Sequence, residues 1–362
     1  MFFSNSDNFY INTDEGLEKV LSIIKQEEIF ALDTEFTRQS TYYPILSLIQ
    51  IAVVNEQKEK SLYIIDCLSG VDLSAFYEII ADKNIVKILH SSVQDLQIFF
   101  YKSNLVPAAI FDTQIMANFC GLDYGCGYSN LVKNLFDKTL DKELQRSDWQ
   151  IRPLSNEQVN YALLDVFFLH EIYYELLANI QKNGRLMWLE EEMLNFTSNA
   201  VSKSEESLLK NFITQRKNPL QIEMLKRLVF LREEWAKKLD VPRQRVIRDE
   251  VIEKMIYSKK IVSKIDIKII GSVEEILSMQ DDSVISHIAK NKSLAMDLKQ
   301  KEAYNSAKDE IKMIAQDCGL KEQFLISNSD LKKIIQEKEI IRKVKSGWRY
   351  HLLGKKLEQI IA

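Results

Sequence analysis

The chain has 362 residues, 46% of them hydrophobic and 28% charged, with 48 basic and 52 acidic side chains and a net charge of −4. At roughly 150 residues per domain this length suggests two or three domains, and the composition excludes a disordered chain. Read as one sum, the net charge also speaks against a polyanionic partner.

The first half mixes strands and helices. A helix is expected over roughly 14–26, followed by a strand over 29–36, Ile-Phe-Ala-Leu-Asp-Thr-Glu-Phe. Strands follow over 46–54 and 62–66, with short connections that suggest an antiparallel meander. A fourth strand, 85–90, leads into a helix from about Val93, and 109–111 is a short fifth. The later connections carry helices, so the sheet is mixed and helix-covered. From Ser155 the pattern turns helical: Ser155 with Gln158 is a capping-box signature, and Val159, Ala162, Leu163, Val166, Leu169 and Ile172 keep helical spacing. A polar stretch over 198–207 reads as a linker. Only helices follow, expected near 205–217, 220–239, 248–257, 272–278, 283–290, 294–317, 329–337 and 351–361, with a division near 292.

Four cysteines without a C-x-x-C pair (Cys67, Cys120, Cys126, Cys318) and four scattered histidines predict neither a disulfide framework nor a zinc site. The opening residues lack a basic region ahead of an apolar stretch. The longest mostly apolar stretch, 44–54, is too short to span a bilayer. The expectation is a cytoplasmic protein that does not associate with membranes.

The charge is split along the chain. Residues 1–200 carry 15 basic and 28 acidic side chains, and residues 201–362 carry 33 and 24. The excess peaks over 210–260, with 14 basic and 7 acidic residues. Such an excess is either a set of solvated helix faces or a surface that meets phosphates.

Asp33 and Glu35 sit two apart in an apolar strand, and period-two geometry puts both on one face. Either the strand lies at an edge with its acids in water, or a cation compensates them; a divalent metal suits carboxylate oxygen. Asp95 follows the fourth strand near a helix start, where it is either an ordinary first-turn acid or part of a site. His90, which closes that strand, reads as packing support. Tyr161 and Asp165 are four apart and share a helix face. They are either a polar stripe beside a core tyrosine or a buried acid in need of a partner. Together, four acids in three places with a tyrosine four residues before the last match a two-metal nuclease site.

These residues carry a resemblance. Asp33-Thr34-Glu35-Phe36, Asp95, and Tyr161-Ala162-Leu163-Leu164-Asp165 resemble the three motifs of the DEDD exonuclease superfamily, tyrosine branch. Arg38, Thr41-Tyr42-Tyr43-Pro44, Leu48-Ile49-Gln50, His90-Ser91-Ser92-Val93-Gln94-Asp95-Leu96, Phe111-Asp112-Thr113-Gln114, Ser147-Asp148-Trp149 and Arg152-Pro153-Leu154-Ser155 resemble motif blocks of bacterial ribonuclease D across nearly all of 25–180. Leu225, Leu228, Leu231, Arg232, Trp235, Ala236, Pro242, Val246 and Asp249 resemble an HRDC module. Asp330-Leu331, Gly347-Trp348-Arg349 and Gly354 resemble the second, more divergent helical module of that family. One departure is that Tyr257-Ser258-Lys259-Lys260 lacks the proline often found after the third HRDC helix.

The resemblance implies an α/β ribonuclease H-like exonuclease domain, with a five-stranded mixed sheet and flanking helices, over 1–200. Two all-α HRDC-type modules would follow, over 205–290 and 293–362. It implies a monomeric 3′→5′ exoribonuclease that trims structured RNA such as tRNA 3′ ends and releases 5′-nucleotides, using two divalent cations, Mg²⁺ or Mn²⁺. Asp33, Glu35 and Asp165 would bind one ion, Asp33 would bridge to the other, Asp95 would support the second, and Tyr161 would position the attacking water. The rival readings are a DNA exonuclease of the same superfamily and a non-catalytic nucleic-acid-binding scaffold. The chain has no G-x-x-x-x-G-K-[ST] loop and so no helicase core, and all four acids and the tyrosine are present.

Overall fold

The computed structural model describes residues 9–141, 143–202, 208–209, 212, 218–262, 267–278 and 296–362. The helix expected at 205–217 lies mostly outside these, and that at 283–290 lies wholly outside. The chain forms two compact units. One comprises 1–36, 46–201 and 294–362, the other 37–45 and 202–293.

The first unit is built on one mixed sheet. Its strands are β1 (Tyr10–Ile11), β2 (Ile29–Thr37), β3 (Ile45–Val54), β4 (Lys60–Asp66), β5 (Val86–Leu89) and β6 (Ile110–Asp112), in the order β1-β4-β3-β2-β5-β6. The sheet therefore has six strands where five were expected. The extra one, β1, is two residues long and pairs in parallel with β4 at Ile64 and Ile65. Two residues cannot display an alternation pattern; β1 exists because β4 offers it an edge. β3 and β4 pair antiparallel, whereas β2–β5 and β5–β6 are parallel.

Helices cover both faces. Alternation along β2 and β3 sends Phe30, Leu32, Ile49 and Ile51 to one side. There they meet α1 (Asp14–Glu27), α2 (Ser74–Ala81) and α3 (Val93–Ser103) through Leu21, Phe76 and Leu96. Ala31, Leu48 and Ala52 face the other side, which α4 (Thr113–Phe119), α5 (Tyr128–Phe136), α6 (Asn156–Phe167), α7 (Leu169–Lys182) and α8 (Leu186–Val201) close. The continuous helical spacing from Val159 to Ile172 breaks at Phe168. The Tyr128 hydroxyl stabilises that break, accepting from the Phe168 amide at 3.1 Å and donating to the Leu164 carbonyl at 2.8 Å.

The C-terminal helices of this unit share its core. Trp348, 1% exposed, stacks on Trp188 of α8 at 5.5 Å and lies 5.4 Å from Phe119 at the end of α4. Phe324 meets Phe119 edge-on at 4.7 Å. Arg349 forks onto Glu192 and donates to the Phe324 and Leu325 carbonyls. Gly121 is also required here: its φ is +76°, and a Cβ would lie 2.4 Å from the Gly319 carbonyl oxygen.

The second unit packs Leu220, Met224 and Leu228 of the helix Pro219–Leu239 against Ile252, Met255 and Ile256 of Asp249–Ser258. Tyr42, 3% exposed, belongs to this core. Its hydroxyl donates to Glu233, which also pairs with Arg243. The amides of Tyr42 and Tyr43 donate to Asp240 at 3.0 and 3.1 Å. The loop between β2 and β3 is thus a structural part of the helical unit. Among the described residues no helix is long and apolar enough to cross a membrane.

Trp348→Ala should destabilise the first unit by about 3–5 kcal/mol, because it removes an aromatic core residue from between α4 and α8. Urea unfolding followed by Trp188 fluorescence reads this; an unchanged midpoint would show that the C-terminal helices do not share its cooperative core.

Candidate active site

The carboxyl ends of parallel β2 and β5 open into a cavity of about 880 Å³. Asp33 and Glu35 line it from one face of β2, as period-two geometry requires. Thr34, on the intervening position, is buried, and its hydroxyl donates to Asp95 in the first turn of α3. Tyr161 and Asp165 enter from α6, one turn apart, beside Glu157, Asn160 and Leu164. All five residues singled out from the sequence therefore line one cavity. His90 lines it too, at the end of β5.

The position of α6 is fixed at its start. Ser155 and Gln158 form the expected capping box, at 3.2 and 2.9 Å. The Gln158 amide also donates to Ser147 at 2.7 Å. Arg152 forks onto Asp66 at the end of β4, at 2.7 and 2.6 Å, and reaches the carbonyls of Ser47 and Trp149. Tyr10 donates to the same carboxylate at 2.6 Å. The Arg152 guanidinium and the Tyr10 hydroxyl hold Asp66 below the usual carboxylate range against the effect of its burial. Trp149 then lies against the Tyr161 ring at 5.9 Å.

The electrostatics are one-sided. Seven acids line the cavity (Asp33, Glu35, Asp95, Asp141, Glu143, Glu157 and Asp165), and among the described lining residues there is no lysine or arginine. Burial, then repulsion from Asp95, Asp165 and Glu35, pushes Asp33 well above the carboxylate range. Burial, then Asp165 and Asp95, pushes Glu35 up to about 9. Asp95 and Asp165 rise to about 7, mainly through burial, opposed by hydrogen bonds from Thr34 and Tyr161 respectively. The Tyr161 hydroxyl is pushed up by burial and by the same acids, so it keeps its proton at neutral pH.

This donor set fits a divalent cation. Its oxygens are hard, and among the described lining residues no lysine or arginine offsets its charges. As they stand, no three Asp, Glu, His or Cys groups among the described residues converge on one point. Sequence reasoning missed several supporting residues. Thr34, Arg152 and Asp112 stood inside recognised motif blocks without a role. Asp66 and Tyr128 carried no signal, because their partners are distant in sequence.

Comparison with known proteins gives a consistent picture. Residues 8–181 match the family model described as 3′-5′ exonuclease. Ribonuclease D of Bartonella henselae is 29% identical over 97% of this chain and 89% of its own. Ribonuclease D of Gluconacetobacter diazotrophicus is 35% identical over 67% of this chain and 61% of its own. The crystal structure of Escherichia coli RNase D, an exoribonuclease involved in structured RNA processing, superposes with a TM-score of 0.83 at 24% identity, covering 97% of this chain and 98% of that one.

The raised acids give stability a defined pH dependence. The folded metal-free protein retains protons that the unfolded chain releases above about pH 4. These groups therefore cost stability as pH rises from there through about 7 to 9, and a bound dication removes that cost. The melting temperature without metal should fall between about pH 5 and pH 8.5, and saturating Mg²⁺ should restore about 5 °C at the higher pH and less at the lower. The double variant Asp33→Asn, Glu35→Gln should show a flatter profile. Equal slopes for the two proteins would remove the repulsion account.

Proposed function

The chain belongs to the ribonuclease D family of 3′→5′ exonucleases, and from that membership we propose that it is an exoribonuclease that hydrolyses phosphodiester bonds from RNA 3′ ends by a two-metal-ion mechanism. The observation that carries this reading is the convergence of Asp33, Glu35, Asp95, Asp165 and Tyr161 on a cavity whose described lining has no lysine or arginine. A polyanionic chain entering such a cavity needs cations to accompany it. The ions are Mg²⁺ or Mn²⁺, and when bound they supply the positive charge that phosphodiester hydrolysis requires.

Each residue has a stated task. Asp33, Glu35 and Asp165 would hold one ion, with Asp33 also serving the second and Asp95 supporting it. The Thr34 hydroxyl donates to one Asp95 oxygen and so orients that carboxylate. Tyr161, protonated at neutral pH, offers its hydroxyl to orient the attacking water. The neutral wall of Ser91, Gln94, Gln114 and Ser129 offers hydrogen bonds to a terminal nucleotide without adding charge.

The substrates are structured RNAs, tRNA precursors in particular, trimmed to 5′-nucleotides by a cytoplasmic monomer. The exonuclease domain spans 1–200 and an HRDC domain 205–290; the HRDC-like stretch over 293–362 shares a compact unit with the exonuclease part, and these two helical stretches carry the basic side of the charge split. The acidic part houses the cations, and the basic part approaches the RNA backbone, where each neutralised phosphate releases counterions.

The test compares a tRNA with a 3′ extension and single-stranded DNA of matched length, with Mg²⁺ and with a chelator. Stepwise shortening of the RNA alone, abolished by the chelator, is expected; equal shortening of DNA would make this a DNA exonuclease instead. Asp33→Ala and Asp165→Asn should each reduce the rate by at least about 10³-fold while RNA binding stays measurable. Tyr161→Phe should lower kcat by about 10²-fold or more with little change in KM. Near-normal turnover in either acid variant would sink the two-metal assignment.

A further inference from the structure

We infer that Asp112 is a positioning residue for the nuclease reaction, fixing the turn between β5 and α3 that delivers Asp95 to the cavity; the inference rests on the nuclease reading of that cavity. Asp112 ends β6 and is 1% exposed. Its carboxylate joins two segments about twenty residues apart. On its own side it caps α4, accepting from the amides of Gln114 at 2.9 Å and Ile115 at 3.4 Å. On the other side it accepts from the Ser91 amide at 3.1 Å, the Ser92 amide at 2.7 Å and the Ser92 hydroxyl at 2.9 Å.

An N-cap needs only the first set of bonds. The second set acts on the turn itself. Ser91 has a φ of +57°, a left-handed conformation uncommon for a non-glycine residue, and here its amide and the next are both bonded to Asp112. The two Asp112 oxygens are what the Ser91 and Ser92 amides point at. Immediately after, the Ser92 carbonyl accepts from Leu96 at 3.0 Å and opens α3, three residues before Asp95 completes its first turn. Thr113 extends the clamp: its hydroxyl donates to the Leu89 carbonyl at 3.0 Å and lies 2.9 Å from His90 Nδ1. The motif blocks around His90 and around Asp112 are therefore one device. Four consecutive positions, Leu89 to Ser92, are tied to Asp112 and Thr113 before Thr34 takes the Asp95 carboxylate from the other side.

Removing a group that orients a metal-binding residue typically changes metal affinity or activity by about 10–100-fold, and Asp112 orients Asp95 through the turn. Asp112→Asn tests this, because asparagine caps a helix as well as aspartate does but keeps one acceptor oxygen: Oδ1 takes the α4 amides and Ser91, and Oδ2, which takes the Ser92 amide and hydroxyl, becomes a donor. The variant should keep its far-ultraviolet circular dichroism, and the Ser92 amide should exchange faster in metal-free protein. With the variant, kcat should fall about tenfold or more, the KM for RNA should stay within about twofold, and the Mn²⁺ concentration for half-saturation should rise. Ser92→Ala, which leaves the α4 cap untouched, should move the same quantities in the same direction by less. Asp112→Glu should not rescue them, since an added methylene displaces both oxygens. Wild-type kcat, Mn²⁺ response and amide protection in Asp112→Asn would overturn the inference; so would activity lost only in proportion to unfolded protein, or, if Asp112→Asn does not fold, wild-type behaviour of Ser92→Ala. A wild-type protein that trims no RNA would overturn the nuclease reading instead, and amide exchange with Mn²⁺ affinity would then decide the clamp.

Discussion

The rest of the structure answers to one constraint: four carboxylates gathered on one cavity, Asp95 buried and the other three half-buried, with no lysine or arginine among the described residues that line it. Charges in such a place either take up protons or recruit a cation. Asp33 and Glu35 rise because burial and their neighbours oppose ionisation. A dication reverses that balance, and a phosphodiester then becomes an acceptable occupant. The same arrangement therefore costs the empty protein stability and prepares it for a charged substrate.

Groups that repel one another must be held by the scaffold, and each element carrying an acid is secured separately. β2 sits inside the sheet, with Thr34 turned to take Asp95. The start of α6 is tied down by the capping box and by Arg152 on Asp66. The turn before α3 is held by Asp112. Tyr128 bonds both sides of the α6–α7 break, so the helix that bears Asp165 ends where the cavity wall needs it to. None of these bonds is made by the proposed metal ligands except that of Thr34 to Asp95. Most of the holding is thus done by residues other than the proposed ligands.

The basic half of the chain is not a single appendage. Its last segment, 296–362, shares an aromatic core with α4 and α8 through Trp348, Phe324 and Phe119. Its earlier part forms the other unit together with residues 37–45, where Tyr42 closes over the Glu233–Arg243 pair. That loop begins two residues after Glu35. A net charge of −4 hides this organisation, because it averages an acidic site with basic helices.

Local rules made much of the molecule legible in the sequence. Alternation in β2 put Asp33 and Glu35 on one face, helical spacing put Tyr161 and Asp165 one turn apart, and Ser155 with Gln158 announced the start of α6. Those features depend on neighbours within four residues, so sequence order alone specifies them. The two-residue β1, the break at Phe168, the Arg152–Asp66 pair and the union of residues 37–45 with a unit centred near 240 depend on groups tens to hundreds of residues apart. Asp112 shows the boundary most clearly. Its helix cap is local, but the turn it holds is brought to it only when β5 and β6 pair, and hydrogen-bond partners supplied by strand pairing have no period in the sequence to reveal them.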